Sequence, residues 1–221
     1  RRLSIQDLSA AGAQPMASPD ERYMLSYNGE IYNFPSLGRE LQKLGHQFHG
    51  HSDTEVMLAA IMQWGMEGAL QRFHGMFAFA LWDKREQTLV LARDRAGKKP
   101  LYYGWCQQTF LFGSELKALR AHPDFNADID RDALALFIQH AWVPGPRSIF
   151  QDISKLAPGH WLQVSAAGNE QLHCYWSAAE VAMAGQRNPF SGNLEQATDA
   201  LESMLHDAVS GRMVADVELG A

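Results

Sequence analysis

The chain has 221 residues, 46% of them hydrophobic and 20% charged, the makeup of an ordinary globular protein that can bury one large core, or one domain and the beginning of another. Its net charge of -6 comes with no long basic run, which argues against a nucleic-acid-binding face, and no apolar run approaches the length needed to span a bilayer. The two cysteines, Cys106 and Cys174, lie far apart without C-x-x-C spacing, so neither a disulfide framework nor a zinc ribbon is indicated, and with no signal-peptide core after the basic start the expected location is the cytoplasm.

In chain order, Met24 to Tyr27 reads as a strand running into a turn at Asn28-Gly29. Asn33 and Pro35 then open a helix with Leu37, Leu41 and Leu44 on one face, stopping at Gly45. Ser52 and Glu55 have the spacing of a capping box, which places Asp53 in the first turn of a helix running towards Gly65. Four short apolar runs follow, Met76 to Trp82, Thr88 to Ala92, Leu101 to Trp105 and Thr109 to Gly113, and read as an antiparallel meander. The first of them is expected to be buried on both faces. Asp130 can cap a helix through Ala133, Leu134 and Phe137, which Pro144-Gly145-Pro146 breaks before a strand pair around His160 to Val164 and Gln171 to Trp176. From Ala178 to Asn193 the pattern fades, as at a domain boundary, and residues 178–193 are read as a linker. Leu194, Ala197, Leu201, Leu205 and Ala208 then recur at helical spacing, and Val214 to Ala221 resembles a first strand.

Cleaving an amide places negative charge on its carbonyl oxygen, and a side-chain amide beside a glycine N–H can receive it. Asn28 and Gly29 supply that pair, although Asn-Gly is also the commonest tight-turn dipeptide. Arg2 can grip a carboxylate through two parallel hydrogen bonds and Asp53 can take an ammonium, so together they could hold both ends of an α-amino acid. The alternatives are a solvated terminal charge for Arg2 and a helix-dipole partner for Asp53. His46, His49 and His51 lack companions at ligand spacing and read as solvated side chains, with no metal site expected. Arg93, Asp94, Arg95, Lys98 and Lys99 form a charged turn with no glycine-rich loop opening a helix, which favours a structural or interface role over phosphate binding.

Several blocks together resemble the glutaminase domain of the asparagine synthetase family, the class II glutamine amidotransferases. They are Arg1-Arg2-Leu3-Ser4-Ile5-Gln6-Asp7-Leu8, Gly12-Ala13-Gln14-Pro15-Met16, Asn28-Gly29-Glu30-Ile31-Tyr32-Asn33, Ser52-Asp53-Thr54-Glu55, Gly75 to Asp83, Ala92-Arg93-Asp94-Arg95, Lys99-Pro100-Leu101-Tyr102-Tyr103, Gly113 to Leu119 and Lys155 to His160. The resemblance covers nearly the whole chain and weakens only over 178–193. It implies an α+β fold of the amino-terminal-nucleophile (Ntn) hydrolase type, a four-layer α/β/β/α sandwich of antiparallel sheets over residues 1–177. Residues 194–221 would then begin an α/β ATP-pyrophosphatase synthetase domain.

By the same resemblance Arg2 binds the glutamine α-carboxylate and the backbone of Leu3, Ser4, Ile5 and Gln6 lines the same pocket. Asn28 and Gly29 form the oxyanion hole, Glu30 is a neighbouring glutamine contact, and Asp53 holds the α-amino group. The family's nucleophile is an amino-terminal cysteine whose own amine acts as base; it is not among these residues, so the chain as it stands is expected to be inactive. ATP and Mg2+ are expected in the synthetase domain, in a Ser-Gly-Gly-x-Asp-Ser loop beyond Ala221. Glu218, where the family usually has Pro, and Lys98, where many members have an aliphatic residue, depart from the pattern. The implied partners are glutamine and a carboxylate acceptor, aspartate by default or a sugar acid of a surface polysaccharide; a homodimer is compatible with the resemblance. A non-catalytic glutamine-binding or scaffold relative, or a ring-amide-forming synthetase, are the competing readings.

Overall fold

The computed structural model describes residues 12–213. These divide into two compact units, one of residues 12–25, 30–75 and 176–213, the other of residues 26–29 and 76–175. Strand β2 (Tyr23–Ile31) contributes to both.

In the first unit β1 (Met16–Ala17) pairs antiparallel with the start of β2, Met16 opposite Leu25. Helix α1 (Phe34–Lys43) buries Leu37 and Leu41 and packs on α2 (Asp53–Arg72). Full burial of each such leucine stabilises by about 1.5–3 kcal/mol. Leu44, expected on the same face, is 51% exposed, because the chain leaves the helix there and reverses at Gly45, whose φ of 97° suits glycine. Asn33 stands at the N-cap of α1 without capping it. Its carboxamide instead donates to the Arg72 carbonyl at 2.9 Å and accepts from the His74 N–H at 2.9 Å, tying the start of α1 to the exit of α2.

Two expectations for α2 change. Ser52 does cap it, accepting from the Thr54 N–H at 3.0 Å, but the reciprocal half of the capping box is absent. Glu55 spends its two oxygens on the N–H groups of His49 and Gly50, at 2.8 and 2.9 Å. The helix also resumes after Gly65, which interrupts it at φ 71° and ψ 175°, since Ala69 and Leu70 have a fully buried place to occupy. After Trp176, the stretch read as a linker begins with helix α5 (Ala178–Arg187), capped by Ser177, and is followed by α6 (Leu194–Ser210) with a full capping box between Asn193 and Gln196. The Val214 to Ala221 stub lies outside the described residues.

The second unit is a stack of two sheets. In one, β3 (Gly75–Asp83), β4 (Thr88–Arg93), β8 (His160–Ser165) and β9 (Glu170–Cys174) run in that order, each antiparallel to the next. The other sheet has β5 (Tyr102–Cys106) between β6 (Thr109–Gly113) and β7 (Ile153–Lys155). Ala78, Ala80, Leu91, Leu162 and Val164 of the first sheet form one core with Leu101 and Leu156, against which Tyr103, Trp105 and Phe110 of the second pack. The two-residue period of β5 sends its alternate side chains, Tyr102 and Cys106, to the other face, where Leu119 of the short helix α3 (Leu116–Leu119) closes a second cluster with Ile153. Phe77 to Leu81 are buried, as expected for a strand covered on both faces. Asp130 caps α4 (Arg131–His140) through the N–H groups of Asp132 and Ala133.

The single meander expected from Met76 to Gly113 is thus two sheets, because the chain leaves the first at Asp94. That carboxylate, 1% exposed, accepts from Ala96 and Lys98 on one oxygen and from Phe77 and Lys99 on the other, all at 3.0–3.1 Å. The Arg93 guanidinium holds the same loop through the carbonyls of Lys99, Gly97 and Leu156, at 2.6–2.7 Å. A carboxylate and a guanidinium spent on the backbone in this way make the charged turn structural.

Candidate active site

Asn28 and Gly29 do not form a turn. They lie inside β2, which continues to Ile31, because Gly29 is extended at φ 156° and passes close to β3. A Cβ on Gly29 would stand 2.1 Å from the Met76 carbonyl oxygen and 2.7 Å from the Phe77 Cα, so only glycine permits this approach. Phe77 is in turn pinned by its N–H to the Asp94 carboxylate at 3.1 Å and by its carbonyl to the Asp94 N–H at 2.8 Å. Gly29 therefore rests against a backbone that is itself fixed.

The Asn28 side chain is exposed, and its Nδ2 donates to the Ser114 hydroxyl at 3.0 Å. A carboxamide nitrogen carries two hydrogens, so this leaves one donor for another acceptor. An exposed amide N–H beside a glycine N–H on a rigid strand has the parts needed to stabilise an oxyanion.

In the other unit, Asp53 is 3% exposed at the first position of α2. Its Oδ2 accepts from the Ile31 N–H at 3.0 Å, and the Thr54 hydroxyl lies 3.4 Å from Oδ1. The helix N-terminus stabilises the carboxylate charge. Gly75 repeats the close strand approach here, since a Cβ on it would stand 2.1 Å from the Glu30 carbonyl oxygen. Glu30 itself is half-buried. Arg2, Leu3, Ser4, Ile5 and Gln6 lie outside the described residues.

Among the remaining candidates, His46 Nε2 is 2.9 Å from the Gln63 carboxamide, and the largely exposed His49 is 3.5 Å from Glu55. No group of three or more His, Cys, Asp or Glu side chains among the described residues is disposed to hold a metal, and no described helix is long and apolar enough to cross a membrane. Cys106 is buried and Cys174 exposed, neither in a disulfide. The Tyr175 hydroxyl donates to the Arg93 carbonyl at 2.9 Å, and burial pushes its pKa well above that of a free tyrosine. Burial pushes the Arg93 and Lys155 pKa values down, Lys155 further under the charge of Arg93.

Two residues that frame this site carried no signal in their spacing. Ser114 is 86 positions from Asn28, and Asp94 reaches Phe77 across a strand pair. Both stand in sequence blocks that resemble the asparagine synthetase family, but no spacing rule relates positions that meet only through a sheet.

A family model described as a glutamine amidotransferase domain matches residues 1–176. The chain belongs to the glutamine amidotransferase domain family. It is 37% identical over 221 residues to asparagine synthetase (glutamine-hydrolyzing) 3 of Bacillus subtilis, covering 98% of this chain and 34% of that protein. With asparagine synthetase (glutamine-hydrolyzing) 1 of the same organism it is 34% identical, over 100% of this chain and 33% of the relative. The chain thus spans about a third of the length of the curated relatives it matches. Among solved structures it is similar to the glutamine phosphoribosylpyrophosphate amidotransferase from B. subtilis complexed with ADP and GMP, with a TM-score of 0.55 and 20% identity over 77% of this chain and 33% of that one. That likeness is one of fold, and this amidotransferase domain has the α+β, Ntn-hydrolase-type architecture expected from its sequence.

Proposed function

We propose that this domain hydrolyses glutamine within a larger amidotransferase of the asparagine synthetase type, supplying ammonia to an activated carboxylate. The observation that supports this best is the pairing, on one strand, of the exposed Asn28 carboxamide with Gly29, whose Cα is pressed against the Met76 and Phe77 backbone. In this reading a thiolate, the amino-terminal cysteine of the family, attacks the glutamine side-chain carbonyl. As the C–S bond forms, the carbonyl π electrons move to oxygen, and the Asn28 Nδ2–H and Gly29 N–H receive that charge. Collapse of the adduct breaks the C–N bond, releases ammonia with the proton taken from the thiol, and leaves a thioester that water cleaves to glutamate.

Asp53 holds the α-ammonium and Arg2 the α-carboxylate, with Leu3 to Gln6 and Glu30 as further contacts. Aspartate is the acceptor that goes with the relatives' name, asparagine synthetase, and the cytoplasm is the compartment we assign. ATP and Mg2+ are assigned to no residue of this chain, since no Ser-Gly-Gly-x-Asp-Ser loop occurs in it. Residues 194–221 are read as the start of the synthetase domain, supported by α6, whose Leu194, Leu201 and Leu205 remain 57–85% exposed.

Glutamate release from glutamine by the full-length protein that carries this chain tests the reading. Asp53→Asn keeps an oxygen to accept from the Ile31 N–H while removing the charge. Losing one charge-assisted contact to the substrate is expected to raise KM for glutamine about 10- to 100-fold. Unchanged KM and kcat would remove Asp53 from the site.

A further inference from the structure

A carboxamide serves an oxyanion only if its nitrogen end faces it. Rotated by half a turn, Asn28 would present a carbonyl oxygen to the same place and replace attraction with repulsion. The Ser114 hydroxyl accepts from Asn28 Nδ2 at 3.0 Å, so the nitrogen is the end that meets it. Ser114 lies at a fixed junction, directly after β6 and directly before Glu115, the N-cap of α3. That junction is anchored by Leu119, 3% exposed in the second core cluster, and by Gly113, where a Cβ would come within 2.8 Å of the Leu119 side chain. The chain on the other side of Asn28 is equally constrained, through the contact of Gly29 with Met76 and Phe77.

We propose that Ser114 is a positioning residue for glutamine hydrolysis: by accepting one Nδ2–H of Asn28 it fixes the carboxamide so that the second Nδ2–H is held ready for the developing oxyanion. The proposal rests on the assignment of Asn28 and Gly29 to the oxyanion hole. In this proposal Ser114 acts only through Asn28. Its effect falls on the transition state, so it belongs in kcat and not in KM.

The test uses the full-length protein with Ser114→Ala, Ser114→Thr, Asn28→Ala and the Asn28→Ala/Ser114→Ala double variant, following glutamate release and thermal unfolding. Ser114→Ala is expected to lower kcat about tenfold with KM within about twofold. Ser114→Thr, which keeps the hydroxyl, restores most of the rate. The double variant is no slower than Asn28→Ala alone, because the two residues act through one hydrogen bond. A merely structural serine would give a loss that multiplies with that of Asn28→Ala and tracks the melting temperature, and that result overturns the proposal. Unchanged kcat in Ser114→Ala beside a large loss in Asn28→Ala overturns it too and leaves the oxyanion assignment standing. Unchanged kcat in Asn28→Ala overturns both.

Discussion

Gly29 is a residue at which the needs of folding and of the proposed chemistry meet. A Cβ there meets the backbone of Met76 and Phe77, not the mobile end of a side chain, and that backbone is held at Phe77 by two hydrogen bonds to Asp94. Relief by local adjustment is therefore expensive. Gly29→Ala should destabilise the protein by on the order of 3 kcal/mol. Denaturant unfolding measures this independently of turnover, and a loss under about 0.5 kcal/mol would mean that β2 can move away from β3. The Asn28-Gly29 dipeptide illustrates what a sequence conceals. As a dipeptide it reads as a turn, whereas with β3 beside it the same glycine supplies a close strand approach. The resemblance to a family singled out these two residues without revealing that they sit mid-strand.

Most elements were legible because their signals are local. The α2 cap at Ser52, the α4 cap at Asp130 and the alternation along β5 need only a few neighbouring residues. The two-sheet arrangement was not, because it turns on one carboxylate: Asp94 collects four backbone N–H groups from Phe77 and the 96–99 loop and steers the chain out of the first sheet. Tyr175 closes the same corner, its hydroxyl bonded to the Arg93 carbonyl. Burial raises the Tyr175 pKa in the folded state above its unfolded value, so the neutral phenol is favoured by folding. The associated stability is fully present below about pH 10, the unfolded pKa, and is lost as pH rises from there through the folded pKa. Tyr175→Phe should cost about 1 kcal/mol at neutral pH and flatten the fall in stability above about pH 10. Urea titrations of both forms across that range check it; parallel curves would separate Tyr175 from the alkaline transition.

At the scale of the whole molecule, the family match ends at residue 176, while α5 and α6 continue beyond it. Residues 194–205 present leucines to solvent at helical spacing, and the chain accounts for only about a third of the length of its relatives. The proposed glutamine hydrolysis centres on the amide and glycine of β2. The decisive measurement is kcat for glutamate release by the full-length protein with Asn28→Ala. Loss of one oxyanion donor predicts a fall of about 100- to 1000-fold in kcat with KM changed by less than about threefold. A kcat equal to that of the unsubstituted protein would contradict the account.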